Sequence, residues 1–304
     1  MISVIIPTRN RLGPLQRCLR SLRRQELKDL EVVLVNDAGA SPRSVVDGWK
    51  GELVINLIEL QEQRGVSAAR NIGIEAAQGN HVAFLDDDDI FLPHHLSSAE
   101  KALSEMEGPT LVYGNALVSE HWLEALPRDT QGMPHKGHPF DPRFLMVANP
   151  LHTGSIVATN FSDLSTRFDE ELDHCEDWEM WLALCSAFHG RFLGLGEVTS
   201  VYHQVGSFDG TVTLAYQQTP TAFTLARARV YEKWPTDDPL VLVYRDWLRT
   251  FDLRLDSLIG EGQPLPRHAF DQALAAMKPA FANALPPSED WLDDIFIAAT
   301  TPTR

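Results

Sequence analysis

The chain has little cysteine, a deficit of positive charge and no long apolar run, and each shortage excludes something. Its three cysteines, Cys18, Cys175 and Cys185, are odd in number and form no Cys-x-x-Cys pair. Neither a disulfide framework nor a zinc knuckle is expected, and a reducing cytoplasm is the default compartment. Lys and Arg total 26 against 42 Asp and Glu, a formal net charge of −16. Phosphate backbones are bound by clustered cations, so no nucleic-acid partner is expected. An anionic membrane surface is disfavoured as the main partner for the same reason. No stretch approaches the roughly 20 apolar residues of a transmembrane segment, and no signal peptide is predicted ahead of the strand-like run that begins at Ile2. What is present is ordinary globular composition, 44 % hydrophobic and 22 % charged over 304 residues. That is enough for one large domain or two small ones.

Short apolar runs alternate with helical patterns in the first half. Strands are predicted at Ile2–Ile6, Glu31–Val35, Val54–Leu60 and His81–Leu85. Helices are predicted at Leu12–Arg24, from the Ser41-Pro42 cap to Trp49, and at Val66–Ala77; the first carries an apolar stripe of Leu15, Cys18, Leu19 and Leu22. This alternation implies a mostly parallel sheet covered on both faces. After Thr110 the pattern changes to short strands at Leu111–Tyr113, Ala116–Glu120 and Ser155–Ala158, a long loop over 127–150, and a helix at Asp177–Phe188. Edge strands are expected at Leu193–Leu195 and Ser200–His203. Beyond Gly210 the periodicity is helical, at Val212–Trp234, Leu240–Ile259, Arg267–Leu285 and Glu289–Ala298, with prolines between the segments.

The residues with most chemistry fall at strand ends. Asp86-Asp87-Asp88-Asp89 directly follows a buried strand, so its carboxylates leave the carboxyl edge of the sheet, where α/β proteins bind ligands. Four such groups repel one another unless a cation joins them, and a hard divalent ion suits their oxygens. A solvated acidic loop is the plainer alternative. Pro7-Thr8-Arg9-Asn10-Arg11 and Asn36-Asp37 end the first two strands on the same edge; Asp37 can accept from a base imide or a ribose hydroxyl, or simply shape a turn. Arg64-Gly65 opens a helix that also contains Arg70. Its glycine admits a close ligand and its arginines can neutralise a phosphate. Neither a Gly-x-x-x-x-Gly-Lys loop nor a Gly-x-Gly-x-x-Gly fingerprint is present. Glu176-Asp177 begins a helix, and Asp177 there reads equally as a charge favoured by the first turn. His135, His138 and His152 have irregular spacing and no cysteine beside them, which argues against zinc.

Taken in order, SVIIPTRNR at 3–11, VVLVNDAGA at 32–40, RGVSAARNIGIEAAQGNHVAFLDDDDIFLP at 64–93 and FDEELDHCEDWEMWLAL at 168–184 resemble the family 2 glycosyltransferases. Tyr202-His203 resembles the closing motif of that family. The resemblance covers about residues 1–205. It implies a GT-A fold with a nucleotide-sugar-binding half at 1–110 and an acceptor half at 111–205, leaving 206–304 as a helical appendage. It also implies an inverting enzyme that uses a nucleotide-sugar donor, most often a UDP-sugar, with Mn²⁺ or Mg²⁺. Pro7, Thr8, Arg9, Asp37, Arg64, Gly65 and Arg70 fall where the family builds its nucleotide pocket. Arg9 stands where many relatives stack an aromatic on the base, which an arginine can also do. Asp86 and Asp87 fall near the ribose or donor sugar, Asp88 and His203 on metal-contacting positions, and Asp177 on the catalytic base.

The resemblance leaves the acceptor open among a glycan, a lipid-linked glycan, a protein and a small or carrier-bound metabolite. A lipid-linked acceptor would require peripheral docking at the membrane. Two rivals share parts of the pattern. A nucleotidyltransferase would usually show a glycine-rich basic loop after the first strand, and here no glycine comes before Gly13. A non-catalytic sugar-nucleotide-binding module would have no need of both the aspartate run and Asp177.

Overall fold

The computed structural model describes residues 1–137, 139–205, 215–216, 218–263, 265–266 and 268–297. The expected helical segment at 212–214 and His138 lie outside the described residues. Two compact units emerge. The first comprises 1–140, 151–171 and 179–205, and the second comprises 141–150, 172–178 and the residues beyond 205. A single boundary near residue 205 is what the sequence suggests. Two earlier segments nevertheless group with the C-terminal helices, because their own apolar side chains are buried there.

The first unit is built on a mixed sheet of β1 (Ile2–Thr8), β2 (Leu30–Asn36), β3 (Ile55–Glu59), β4 (His81–Phe84), β5 (Ile90–Phe91), β6 (Leu111–Ser119), β7 (His135–Lys136), β8 (Ile156–Thr159) and β9 (Phe192–His203). Their order is β3-β2-β1-β4-β8-β6-β9-β5, with β7 added to β6. The first four in that order run parallel, and β6 and β9 are parallel to each other. β8 is antiparallel to both of its neighbours. β1 and β2 are buried almost throughout, as continuous apolar strands covered on both faces must be. Helix α1 (Leu12–Arg23) lays Leu15, Cys18, Leu19 and Leu22 into this core, the stripe read from the sequence. Helix α3 (Val66–Ala76) approaches β1 closely at Gly73, where a Cβ would lie 2.3 Å from Ile5 Cγ2.

Two sequence expectations are corrected here. The pairs of short strands at 111–120 and 193–203 are each one strand, β6 and β9. The apparent break in β6 at Gly114 lies opposite a bulge in β9, because Tyr113 pairs with Gly194 but Asn115 with Val198 and Ala116 with Ser200; a Cβ on Gly114 would lie 1.9 Å from Thr199 Oγ1. Such a bulge inserts an unpaired residue without ending the strand. β5 pairs with β9 only at Ser200 and Val201, so the 200–203 end is covered there while Leu193–Leu195 lies at the edge, as expected.

In the second unit, α5 (Pro142–Leu145) and α8 (Pro239–Gly260) each start with an aspartate cap before a proline, Asp141 and Asp238. Proline at the first helical position needs no amide donor, and the aspartate satisfies the next ones. Helices α7 (Ala222–Lys233), α9 (Ala269–Ala282) and α10 (Asp290–Ile297) complete the unit. Its core includes Phe144, Val147, Tyr244, Leu248, Phe251, Met277 and Phe281. Tyr231 donates to the Val147 carbonyl at 2.8 Å and Trp178 Nε1 to that of Leu145 at 2.7 Å, which ties segments 141–150 and 172–178 to the unit. A buried ion pair joins Arg227 to Asp252 at 2.7 Å. All three cysteines are free, and no helix among the described residues is long and apolar enough to cross a membrane.

Lys278 carries a cost in this unit. Its Nζ is buried without a hydrogen-bond partner among the described residues, 5.4 Å from the Phe144 ring centroid. Burial pushes its pKa down to about 7, against a smaller upward pull from Asp141. The unfolded chain protonates this amine near pH 10, roughly the ordinary value. Between those limits U holds a proton that N lacks, so stability contributed here falls as pH drops from about 10 to about 7. Lys278→Met is expected to flatten that slope and to raise the melting temperature most at pH 7 and below, as thermal melts from pH 6 to 10 will show.

Candidate functional site

The parallel strands β1, β2 and β4 deliver their carboxyl ends to one rim of the sheet, with Thr8 opposite Asn36 and Ile5 opposite Phe84. After β4 the chain makes one more ladder bond, from Leu85 N–H to the Ile5 carbonyl at 3.1 Å, and then turns. The Asp89 N–H closes that turn on the Asp86 carbonyl at 3.1 Å. β5 follows at once and pairs Ile90 with Val201, so the aspartate turn is anchored on both sides.

Each aspartate in the turn has a different partner. Asp86 accepts from Arg70 Nη2 at 2.8 Å, and Arg70 is only 3 % exposed. Asp87 accepts from the Thr8 hydroxyl at 2.6 Å. Asp88 meets the Arg11 guanidinium at 2.5 Å, and the same nitrogen lies 3.5 Å from Asp87. Asp89 is 1 % exposed and bridges His152 Nε2 at 2.9 Å and the His203 N–H at 2.8 Å.

These partners do not balance the charge. Burial lifts the Asp87 carboxyl to about 6, against the Thr8 hydrogen bond and Arg11. Burial and then the neighbouring Asp89 charge lift Asp88 to about 8. Burial would raise Asp89 as well, but hydrogen bonds from His152 and His203 hold it below the usual carboxylate range. The rim therefore has a shortage of positive charge centred on Asp88, whose side chain is 26 % exposed.

A divalent ion fits that shortage by donor chemistry. Among the described residues no three His, Cys, Asp or Glu side chains converge on one point. Mg²⁺-type sites commonly use one or two carboxylates and take their remaining oxygens from phosphates and water. Asp88 is such a carboxylate, and in this structure a cationic guanidinium already sits against it. His203, the other metal position implied by the resemblance, is engaged elsewhere. Its Nδ1 lies 2.8 Å from the Asp88 carbonyl and its Nε2 accepts from the Leu123 N–H at 3.0 Å. The carbonyl can only accept, so Nδ1 carries the proton. The Nε2 lone pair is then the one facing Leu123, and no ring nitrogen of this rotamer is left for a metal.

Asp37 accepts the backbone N–H groups of Arg64 at 2.7 Å and Gly65 at 2.9 Å. This carboxylate thereby fixes the loop that opens α3. Gly65 has φ of +90°, a region that residues with a Cβ rarely enter. The Arg64 side chain is exposed and pairs with Glu170 at 3.0 Å. Arg9 is exposed, and Pro7 pairs in the ladder with Val35. Asp177 belongs to the second unit, in the first turn of α6 (Glu176–Ala187), where it accepts from Asn149 Nδ2 at 2.9 Å.

Three residues of this rim are not assigned to it by the sequence. Arg11 lies inside the quoted PTRNR run, but nothing local shows that it reaches Asp88 across 77 positions. Asp89 lies inside the aspartate quartet, and its burial separates it from the other three. His152 attracts notice as a zinc candidate; it is instead buried on Asp89, while His135 is exposed in β7.

A mostly parallel sheet with flanking helices and an aspartate turn on its carboxyl rim defines the GT-A type of glycosyltransferase architecture. The sequence profile described as Glycosyl transferase family 2 matches residues 3–164, and the chain belongs to that family. The chain is 29 % identical over 208 residues to YwdF, an uncharacterized glycosyltransferase of Bacillus subtilis, covering 67 % of this chain and 75 % of the relative. It is 32 % identical over 197 residues to the amylovoran biosynthesis glycosyltransferase AmsE of Erwinia amylovora, covering 62 % and 71 %. Among solved structures, TarS 1-349 of S. aureus in complex with UDP-GlcNAc has a TM-score of 0.61 at 17 % identity, covering 98 % of this chain and 84 % of that one. The mannosyltransferase PcManGT of Pyrobaculum calidifontis, in complex with GDP-Man and Mn²⁺, has a TM-score of 0.59 at 19 % identity, covering 98 % and 85 %. At these identities the two structures carry the fold.

Asp37→Asn puts an amide group against one of two backbone donors. It is expected to cost roughly 1–3 kcal/mol, the range for leaving a buried donor unsatisfied. Urea denaturation measures that loss, and hydrogen–deuterium exchange should show faster exchange at the Arg64 and Gly65 amides.

Proposed function

We propose that the chain transfers a sugar from a nucleotide-sugar donor, in the first instance a UDP-sugar, to an acceptor nucleophile with inversion at the anomeric carbon. The observation that carries this reading is the Asp88 carboxylate on the rim: anchored by the turn, partly exposed, and set among three other carboxylates within the segment that the family profile matches. Solved relatives of the same fold whose complexes hold UDP-GlcNAc, or GDP-Man with Mn²⁺, support a nucleotide-sugar ligand of this kind.

Asp88 is the residue that would hold Mn²⁺ or Mg²⁺, with the donor's diphosphate supplying further oxygens. A bound ion of this type stabilises the charge that develops on a leaving diphosphate. Arg11 adds positive charge beside Asp87 and Asp88. Arg70 holds Asp86 in place from a buried position, so Asp86 can accept from a donor hydroxyl without moving. The loop pinned by Asp37 presents Arg64 and Gly65 to the nucleotide.

Asp177 acts as the general base in this reading. It takes the proton from the acceptor nucleophile as that atom forms its bond to the anomeric carbon. The bond from that carbon to the diphosphate oxygen breaks on the opposite face, and its electrons leave with the diphosphate. Asn149 orients the Asp177 carboxyl group by donating to it from Nδ2. A general base typically contributes about 10²–10⁴-fold.

Two substitutions test the assignment. Asp177→Asn is expected to lower kcat by about 10²–10⁴-fold while donor affinity, measured by calorimetry, stays within about threefold; retained turnover refutes the base. Asp88→Ala is expected to abolish the gain in UDP affinity that Mn²⁺ gives the unaltered protein, and equal UDP affinity with and without Mn²⁺ in that protein would refute the metal role. Release of UDP or GDP from a panel of nucleotide-sugars reports the donor directly.

A further inference from the structure

We infer that Asp89 is a positioning residue, which with His152 and His203 clamps the aspartate turn so that Asp88 presents its carboxylate to the cation. The inference rests on the metal reading of Asp88 given above.

Asp89 is the most buried of the four carboxylates, and each of its oxygens has its own donor from a distant part of the chain. His152, just before β8, donates from Nε2 to Oδ2. His203, at the end of β9, donates its backbone N–H to Oδ1. His203 then reaches past Asp89 and donates from Nδ1 to the Asp88 carbonyl, while the Leu123 N–H fixes the other side of its ring. The Asp88 backbone is thus held through its own carbonyl and through the next residue's side chain.

The packing around His152 has the same purpose. Its ring lies against Tyr202 at 4.4 Å between centroids. A Cβ on Gly154 would lie 2.9 Å from His152 Nε2, so a glycine is required for the ring to reach Asp89. Hydrogen bonds to an ionised acceptor are stronger and more directional than neutral ones. An uncharged residue at 89 would spare Asp88 a like-charged neighbour. A carboxylate there is explained by the geometry that it imposes. Outer contacts of this type commonly change metal affinity by about 10–100-fold.

Calorimetry of UDP with and without Mn²⁺ is the first test. Asp89→Asn and His152→Ala are expected to weaken Mn²⁺-dependent UDP affinity by tenfold or more and to leave metal-free UDP affinity within twofold. His152→Gln keeps an N–H donor and should restore most of the loss. Asp89→Asn with unaltered Mn²⁺-dependent affinity overturns the clamp if Asp88→Ala has lost that affinity. If Asp88→Ala also retains it, the metal reading falls, and the clamp with it. Pulsed electron paramagnetic resonance of Mn²⁺ in the unaltered protein with UDP gives a second test that needs no variant. The spectrum should lack the coupling of a directly bound imidazole nitrogen, and its presence would make His203 a ligand and overturn the assignment.

Discussion

Everything on this rim depends on how four adjacent carboxylates coexist at the end of one strand. Like charges this close are tolerated only when each has a distinct counterpart. The structure supplies a buried arginine for Asp86, a hydroxyl for Asp87, an exposed arginine for Asp88 and two histidine contacts for Asp89. Only one of these counterparts, Arg11, is on a partly exposed, flexible side chain. The turn is therefore held by buried partners at three carboxylates and met by a partly exposed side chain at the fourth, Asp88.

The second unit solves a different problem. Its helices bury aromatic and aliphatic side chains, and the polar groups carried in with them are handled unequally. Arg227 and Asp252 satisfy each other, whereas Lys278 is left over an aromatic ring. Removing one partner from a buried ion pair strands a charge, which is why such pairs resist substitution even where an apolar pair would be as stable. Lys278 has no such protection.

Much of the fold is legible in the sequence because the determining signals are local. The stripe of Leu15, Cys18, Leu19 and Leu22 repeats at helical spacing, and all four side chains are buried. The placement of Asp86–Asp88 at a strand end follows from the apolar run before them. The pairing partners are not legible, because they come from far away. Arg70 reads in the sequence as an arginine able to neutralise a phosphate, whereas in the fold Asp86 and Phe168 enclose it. His152 has no assigned role in the sequence because its partner, Asp89, is 63 positions away. Strand continuity fails for a related reason: Gly114 and Gly194–Gly196 look like breaks, yet a bulge and cross-strand contacts carry β6 and β9 through them. Asp177 illustrates the limit from the other side. Its start-of-helix position is plain in the sequence, while its chemical role comes only from the family pattern.

The bond from His203 to the Asp88 carbonyl makes the length of β9 a constraint on evolution as well as on the fold. Side chains alternate faces along a strand, so one residue inserted between Ser200 and His203 would turn the histidine to the opposite side of the sheet. Surface loops of this chain can lengthen or shorten at little cost. The last four positions of β9 are less free, because the count of residues there sets His203 against Asp88 and Asp89.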